Sequence, residues 1–190
     1  MTTAKPPAEA AQLSFVAALA VGDLARAFVP AELVAYKWPN DLLIVGAKAA
    51  GILIESGSFD PGGLWLAIGI GVNLANAPDV PDYPATSLEA HLASDRAAPT
   101  LEQALDILAD AMAARVAAWE ADGFTPVRAA WLAHAHGLGA PCTARVGESV
   151  TSGTAEGLDA DGALLLRLAD GQVRRITAGD VIFGLSTSSR

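Results

Sequence analysis

The sequence is poor in cysteine, in basic residues and in long unbroken apolar runs, and each shortage removes a class of protein. Its single cysteine, Cys142, cannot form an internal disulfide and has no His or acidic neighbour in sequence. It reads as a small buried hydrophobe, in keeping with a reducing, cytoplasmic setting. Twelve Lys and Arg face twenty-one Asp and Glu, a formal charge of −9. Such a chain repels a phosphate backbone unless its few cations cluster. The densest basic spot is Arg174-Arg175 and no helix-turn-helix pattern is present, so DNA binding is disfavoured. The apolar stretch at 13–21 has fewer than about ten uninterrupted apolar residues, too few to span a bilayer. Leu13, Val16, Ala17, Ala20, Leu24 and Phe28 follow helical spacing with Asp23 and Arg26 off the stripe, so it reads as an amphipathic core helix rather than a signal peptide, and no membrane partner is expected. No G-x-G-x-x-G opens a helix and no G-x-x-x-x-G-K-[ST] loop occurs, which removes two common nucleotide fingerprints.

What is present is a globular composition, 52% hydrophobic and 17% charged over 190 residues, the size of one larger unit with a small appendage. Past the first helix, Pro30 is a stop and residues 33–38 are rich in β-formers. Pro39-Asn40-Asp41 supplies turn chemistry, 42–44 resumes an extended run, Gly46 marks a second turn and 48–55 continues as a strand. Residues 57–63 read as a loop, 64–73 as a buried strand interrupted by Gly69 and Gly71, and 75–84 as an irregular loop. Thr100-Leu101-Glu102-Gln103 is a capping box opening a helix whose stripe is Leu101, Ala104, Leu105, Leu108, Met112, Val116 and Trp119. Thr125-Pro126 starts a second helix that stops near Gly137. From Cys142 the period changes to short alternating runs at 142–146, 150–158, 163–168, 173–176 and 181–183, the pattern of a small barrel. The boundary is placed at 137–141.

Only three lysines and three asparagines occur, and Lys37, Asn40 and Lys48 fall within twelve residues of one another. A hairpin bringing Lys37, Asn40, Asp41 and Lys48 together combines cation, amide and carboxylate, the kit that holds a phosphate and its counter-ion. The plainer reading is a solvated turn. Gly69-Ile70-Gly71-Val72-Asn73 is similarly double: two glycines admit a ligand against the strand, or make room for a helix. Trp38, at a strand end, reads more readily as core than as a ligand contact. His134-Ala135-His136 points its imidazoles to different sides and Asp159-Ala160-Asp161-Gly162 lacks the remaining calcium-loop positions, so no metal residues are expected.

The string KWPNDLLIVGAKAAGILIES followed by GIGVNL resembles the biotin protein ligases, whose K-W-P-N-D turn, K-x-A-G-I-L-x-E strand and G-x-G-x-N strand line one active site. The three motifs stand in family order and spacing, and the resemblance covers essentially the whole chain. It implies an α+β fold: a mixed central sheet with packed helices of class II synthetase type over 1–138, truncated at its start, and a Src-homology-3-like β-barrel over 139–190. It implies a reaction in which biotin and ATP, with Mg2+, give biotinyl-adenylate, and the acyl group passes to a lysine of a biotin carboxyl carrier domain. Lys48 matches the catalytic lysine. Asn40 and Asp41 match turn residues near the nucleotide phosphate and the incoming lysine, and Gly71 and Asn73 belong to the strand that contacts the adenylate. Gly51, Ile52 and Leu53 would supply backbone and wall to biotin, with Lys37 and Trp38 as further candidates.

Biotin ligases also carry, upstream of these motifs, a Ser-Thr-Asn type segment and a Gly/Arg-rich loop of the G-R-G-R-x-G-R kind that grip biotin and close over the adenylate. Neither string occurs in the 190 residues. The resemblance therefore implies little ligase activity for the chain alone, a misassigned start or truncated gene as the simplest explanation, and open sheet edges compatible with a homodimer. A non-catalytic module that still docks the carrier, and a lipoate ligase, are the alternative readings.

Overall fold

Two runs of β-forming residues, one on either side of the helices 101–122 and 124–132 in sequence, organise the molecule. The computed structural model describes residues 1–59, 62–79 and 83–183. Strands β1 (Thr2–Thr3), β2 (Val34–Lys37), β3 (Asp41–Ile44), β4 (Ala47–Phe59) and β5 (Gly63–Val72) form one sheet in the order β1-β5-β4-β3-β2. Connections as short as Val45-Gly46 can join only antiparallel neighbours. Every described ladder is accordingly antiparallel. The expected mixture of directions reduces to two isolated parallel bridges, Tyr36 with Ala135 and Lys48 with Ala85. The expected loop at 57–63 is corrected as well, since β4 continues to Phe59 and β5 begins at Gly63. Small residues there, Gly57 above all, leave room for the Trp65 ring across the ladder, which keeps the strands paired. The remainder of that loop, 60–61, and part of the irregular stretch, 80–82, lie outside the described residues.

Helices α1 (Pro7–Ala10) and α2 (Leu13–Arg26) cover one face of this sheet, with α3 (Leu101–Asp122) and α4 (Phe124–Leu132) packed on α2. The amphipathic reading of α2 does not hold. Only Ser14, Asp23 and Arg26 keep partial exposure, because sheet and helices enclose it from both sides. With α1 it makes a stretch, Pro7–Arg26, long and apolar enough by length and composition to cross a membrane, contrary to the expectation from uninterrupted residues; 72% of that window is buried in the fold. The capping box of α3 forms as expected, Thr100 Oγ1 accepting from Gln103 N at 3.1 Å and Gln103 Oε1 from Thr100 N at 3.0 Å. Its stripe is only half used. Ala104 and Trp119 are buried, but Leu101 and Leu105 are 75% and 61% exposed. Twenty-two residues make a helix of about 33 Å against about 21 Å for the fourteen of α2, so the first turns of α3 overhang their partner. Where the two helices do meet, Arg115 binds Asp23 bidentately, both contacts 2.8 Å, and the Trp119 indole donates to Gln12 at 3.0 Å.

The second sheet, β10-β6-β7-β8-β9, consists of β6 (Pro141–Val146), β7 (Ser149–Leu158), β8 (Leu164–Arg167), β9 (Val173–Ile176) and β10 (Asp180–Phe183), all antiparallel. It wraps the small core of Cys142, Ala144, Ala155, Leu158, Leu164, Leu166, Ile176 and Val181. Burial raises the Cys142 thiol above its ordinary pKa, with a hydrogen bond involving Ala155 opposing, consistent with an unreactive core residue. The two units are joined by more than the chain. The β7–β8 turn inserts Gly162 against Phe15 and Phe124, and the buried indole of Trp38 donates to the Gly162 carbonyl at 3.1 Å. Arg128 of α4 donates to the Leu158 carbonyl, and residues 134–136 lie along the free edge of β2, exchanging backbone bonds with Tyr36 of 2.9 and 2.7 Å.

Candidate active site

The site is built by an irregularity in β4. Strict alternation would place Lys48 with Ile52 on one face and Gly51 with Leu53 on the other. The β3–β4 register shifts by one between Leu42 and Leu43: Leu42 opposes Ala50, while Leu43 opposes Lys48. Ala49 is the extra residue, and this bulge turns Lys48 onto the face of Gly51. A side chain at Gly51 would meet Lys48 Cε at 3.2 Å and Asp41 Oδ1 at 3.5 Å, so the lysine lies over the glycine.

On that surface Lys48 Nζ contacts Asp41 Oδ1 at 2.6 Å. Lys37 stands 3.9 Å from Asp41 Oδ2 and 3.5 Å from Asp180 Oδ1 of β10. The Tyr83 ring lies 5.1 Å from the Lys48 ammonium. Lys37, Asn40, Asp41 and Lys48 are therefore one cluster rather than a solvated turn, lining a cleft of 750 Å³ between the two units. A second recess of 310 Å³ shares Lys48 and Tyr83 and is floored by Gly51, Gly71 and Asn73. Gly71 has nothing within 4 Å of where a Cβ would stand, and Gly69 meets only Leu53. The two glycines face away from the helices, which removes the reading that they make room for one.

Two asparagines hold the frame. Asn40 Nδ2 donates to the Ile52 carbonyl at 2.6 Å and its own carbonyl accepts from Ile52 N at 2.9 Å. Asn73 Nδ2 donates to the carbonyls of Thr86 and Lys48 at 2.9 and 3.4 Å. On its other side Lys48 exchanges backbone bonds with Pro84 and Thr86. The amide N–H groups of both asparagines are thus directed to backbone, which leaves the side-chain carbonyls to offer a ligand.

The expected biotin wall needs one correction. Leu53 is 62% exposed on the face of Gly51, but Ile52 points the opposite way and is 3% exposed, since successive residues of a strand alternate. Its side chain belongs to the core. Trp38 is likewise buried, at 3%, with its N–H spent on Gly162. Sequence reasoning missed Tyr83, His136, Arg145 and Asp180, which also line the cleft. None lies in a motif; the three last come from the link and the second unit, brought in by tertiary structure alone. Burial, and then the Lys37 ammonium, hold the His136 imidazole below its ordinary pKa of 6.5, so it is neutral at pH 7.

The sequence matches the Biotin/lipoate A/B protein ligase family over residues 2–133 and the Biotin protein ligase C terminal domain over 137–184. It is 47% identical over 181 residues to the biotin–[acetyl-CoA-carboxylase] ligase of Paracoccus denitrificans, covering 92% of this chain and 74% of that one. It is 33% identical over 183 residues to the bifunctional ligase/repressor BirA of Bacillus subtilis, covering 91% of this chain but only 53% of the longer relative. In three dimensions it resembles the biotin protein ligase of Aquifex aeolicus, solved in complex with biotin and ATP, at a TM-score of 0.72 and 22% identity, over 92% of this chain and 72% of that one. That likeness speaks for the fold.

Proposed function

The chain belongs to the biotin/lipoate A/B protein ligase family, and from that premise we propose that it carries the nucleotide-binding part of an ATP-dependent biotinylation of a carrier-domain lysine. The observation that carries this reading is the pairing of Lys48 with Asp41 over Gly51, at the meeting of two open recesses. Residues 1–138 are taken as the catalytic unit and 139–190 as the barrel.

In the first step a biotin carboxylate oxygen bonds to the α-phosphorus of ATP and pyrophosphate leaves. Negative charge collects on the phosphoryl oxygens, and Lys48 exchanges Asp41 for them. An ammonium at about 4 Å contributes roughly 4 kcal/mol at an effective dielectric near 20, provided it was positioned beforehand. The bulge at Ala49 and the flanking bonds to Pro84 and Thr86 supply that positioning. In the second step the carrier lysine amine attacks the biotinyl carbonyl, AMP leaves, and Asp41, freed from Lys48, is placed to accept the proton. Gly51, Leu53 and Gly71 offer surface for biotin and adenylate. Asn40 and Asn73 offer their carbonyls, Lys37 supports Asp41, and Tyr83 presents an aromatic face. Mg2+ would arrive with the phosphates and be held mainly by them, since the cleft carboxylates Asp41 and Asp180 both face lysines.

Biotin-dependent ATP–pyrophosphate exchange tests the reading, run on this chain and on one extended upstream with the corresponding segment of the Paracoccus relative. The expected result is exchange in the extended chain, abolished by Lys48→Ala and supported by biotin in preference to lipoate. Exchange that persists in Lys48→Ala would sink it.

A further inference from the structure

The cleft is more positive than its host. Lys37, Lys48 and Arg145 line it against Asp41 and Asp180, with His136 neutral, while the chain as a whole carries −9. The two lysines are committed, Lys48 to Asp41 and Lys37 to Asp41 and Asp180. The excess charge is therefore Arg145. It stands directly opposite Asp180 in the β6–β10 register, a placement in which opposite charges ordinarily pair. Asp180 turns instead to Lys37 and to the backbone N–H of Val181. Among the described residues Arg145 has no ion pair. Cys142 and Ala144 of the same strand face the barrel core, so alternation sets Arg145 outward, on the wall across the cleft from the hairpin that bears Lys48.

We infer that Arg145 of the barrel binds the outer phosphates of the nucleoside triphosphate. The inference rests on the ligase reading above, because it takes the α-phosphate to lie at Lys48. A guanidinium fork suits a terminal or bridging phosphate group, which presents two oxygens in one plane, better than a single ammonium does. Cations on opposite walls then grip the two ends of one polyanion. The barrel becomes a contributor to nucleotide affinity, and the contribution is specific to the phosphates that depart as pyrophosphate.

Calorimetric titration of the 190-residue chain with ATP plus MgCl2, and separately with AMP, tests this. Arg145 is an exposed strand residue, so Arg145→Gln is expected to fold, with circular dichroism as the check. Its ATP affinity is expected to fall about tenfold with AMP binding unchanged, and Arg145→Lys to recover only part of the loss. If Lys48→Ala weakens ATP while Arg145→Gln does not, the ligase site stands and this inference falls. Equal losses for ATP and AMP in Arg145→Gln also overturn it. A wild-type chain that binds ATP no better than AMP, or no better than Lys48→Ala does, overturns it together with the reading beneath it.

Discussion

Lys48 Nζ rests 2.6 Å from Asp41 Oδ1 across the β3–β4 hairpin, and Gly51 is the floor under both. The three residues share a face only because Ala49 is an extra residue in β4. The geometry of the candidate site is thus set by a local fault in an otherwise regular ladder, the kind of device that re-aims one side chain without disturbing its neighbours.

Gly51→Ala isolates that geometry. A methyl group 3.2 Å from Lys48 Cε and 3.3 Å from its Nζ pushes a flexible side-chain end, not backbone. Stability is expected to change by less than about 1 kcal/mol, while biotin-dependent exchange in the extended chain falls about tenfold or more. Melting and exchange measured on the same preparation separate the two effects.

Trp38→Phe removes the N–H that satisfies the buried Gly162 carbonyl. The expected cost is about 1–2 kcal/mol for the unpaired carbonyl, beyond any packing loss. Urea denaturation reads it as a lower midpoint, and an unchanged midpoint would show that the indole bond contributes nothing.

Val45 sits at φ 50° in the two-residue β3–β4 turn, followed by Gly46 at φ 76°. This region costs a residue with a Cβ about 1–2 kcal/mol, and a β-branched one tolerates it least. Val45 is 63% exposed, so little packing is lost on replacement. Val45→Asn, which favours such turns, is expected to raise stability by about 1 kcal/mol in the same denaturation assay.

His136 gives a pH dependence of defined sign. Its folded pKa is held below 6.5 by burial and by Lys37, so the unfolded chain takes up the proton first as pH falls. The stability this neutral imidazole contributes is complete above about pH 6.5 and is lost as pH falls through the folded value. His136→Asn should flatten that part of the profile, below about pH 6.5. Parallel profiles for the two proteins would contradict it.

Local rules carried the sequence reading a long way. The Thr100 capping box, the 39–41 turn, the Gly46 turn and the alternating runs after Cys142 are each encoded within a few residues, and each appears where expected. The clustering of Lys37, Asn40, Asp41 and Lys48 could be anticipated because they fall within twelve residues of one another on one hairpin. What failed was non-local. The face on which Ile52 lies depends on where alternation is interrupted, and no residue type announces a bulge at Ala49. That α2 is enclosed on all sides, and that Leu101 and Leu105 overhang, follow from the relative lengths of packed helices. Tyr83, His136, Arg145 and Asp180 reach the cleft from segments tens of residues away in sequence, and only the docking of the second unit brings the last three there.

The Gly162 turn, seated between Phe15 and Phe124 beneath the Trp38 indole, has a consequence in time. On the ribosome the 37–48 hairpin emerges long before residue 162, and domains fold broadly in order of synthesis. Until residue 162 arrives, the turn that carries Asp41 stands on an indole with no acceptor and beside a gap in its own core. The 37–48 hairpin is thus written early and finished late, since the support beneath it is complete only once residue 162 has been made.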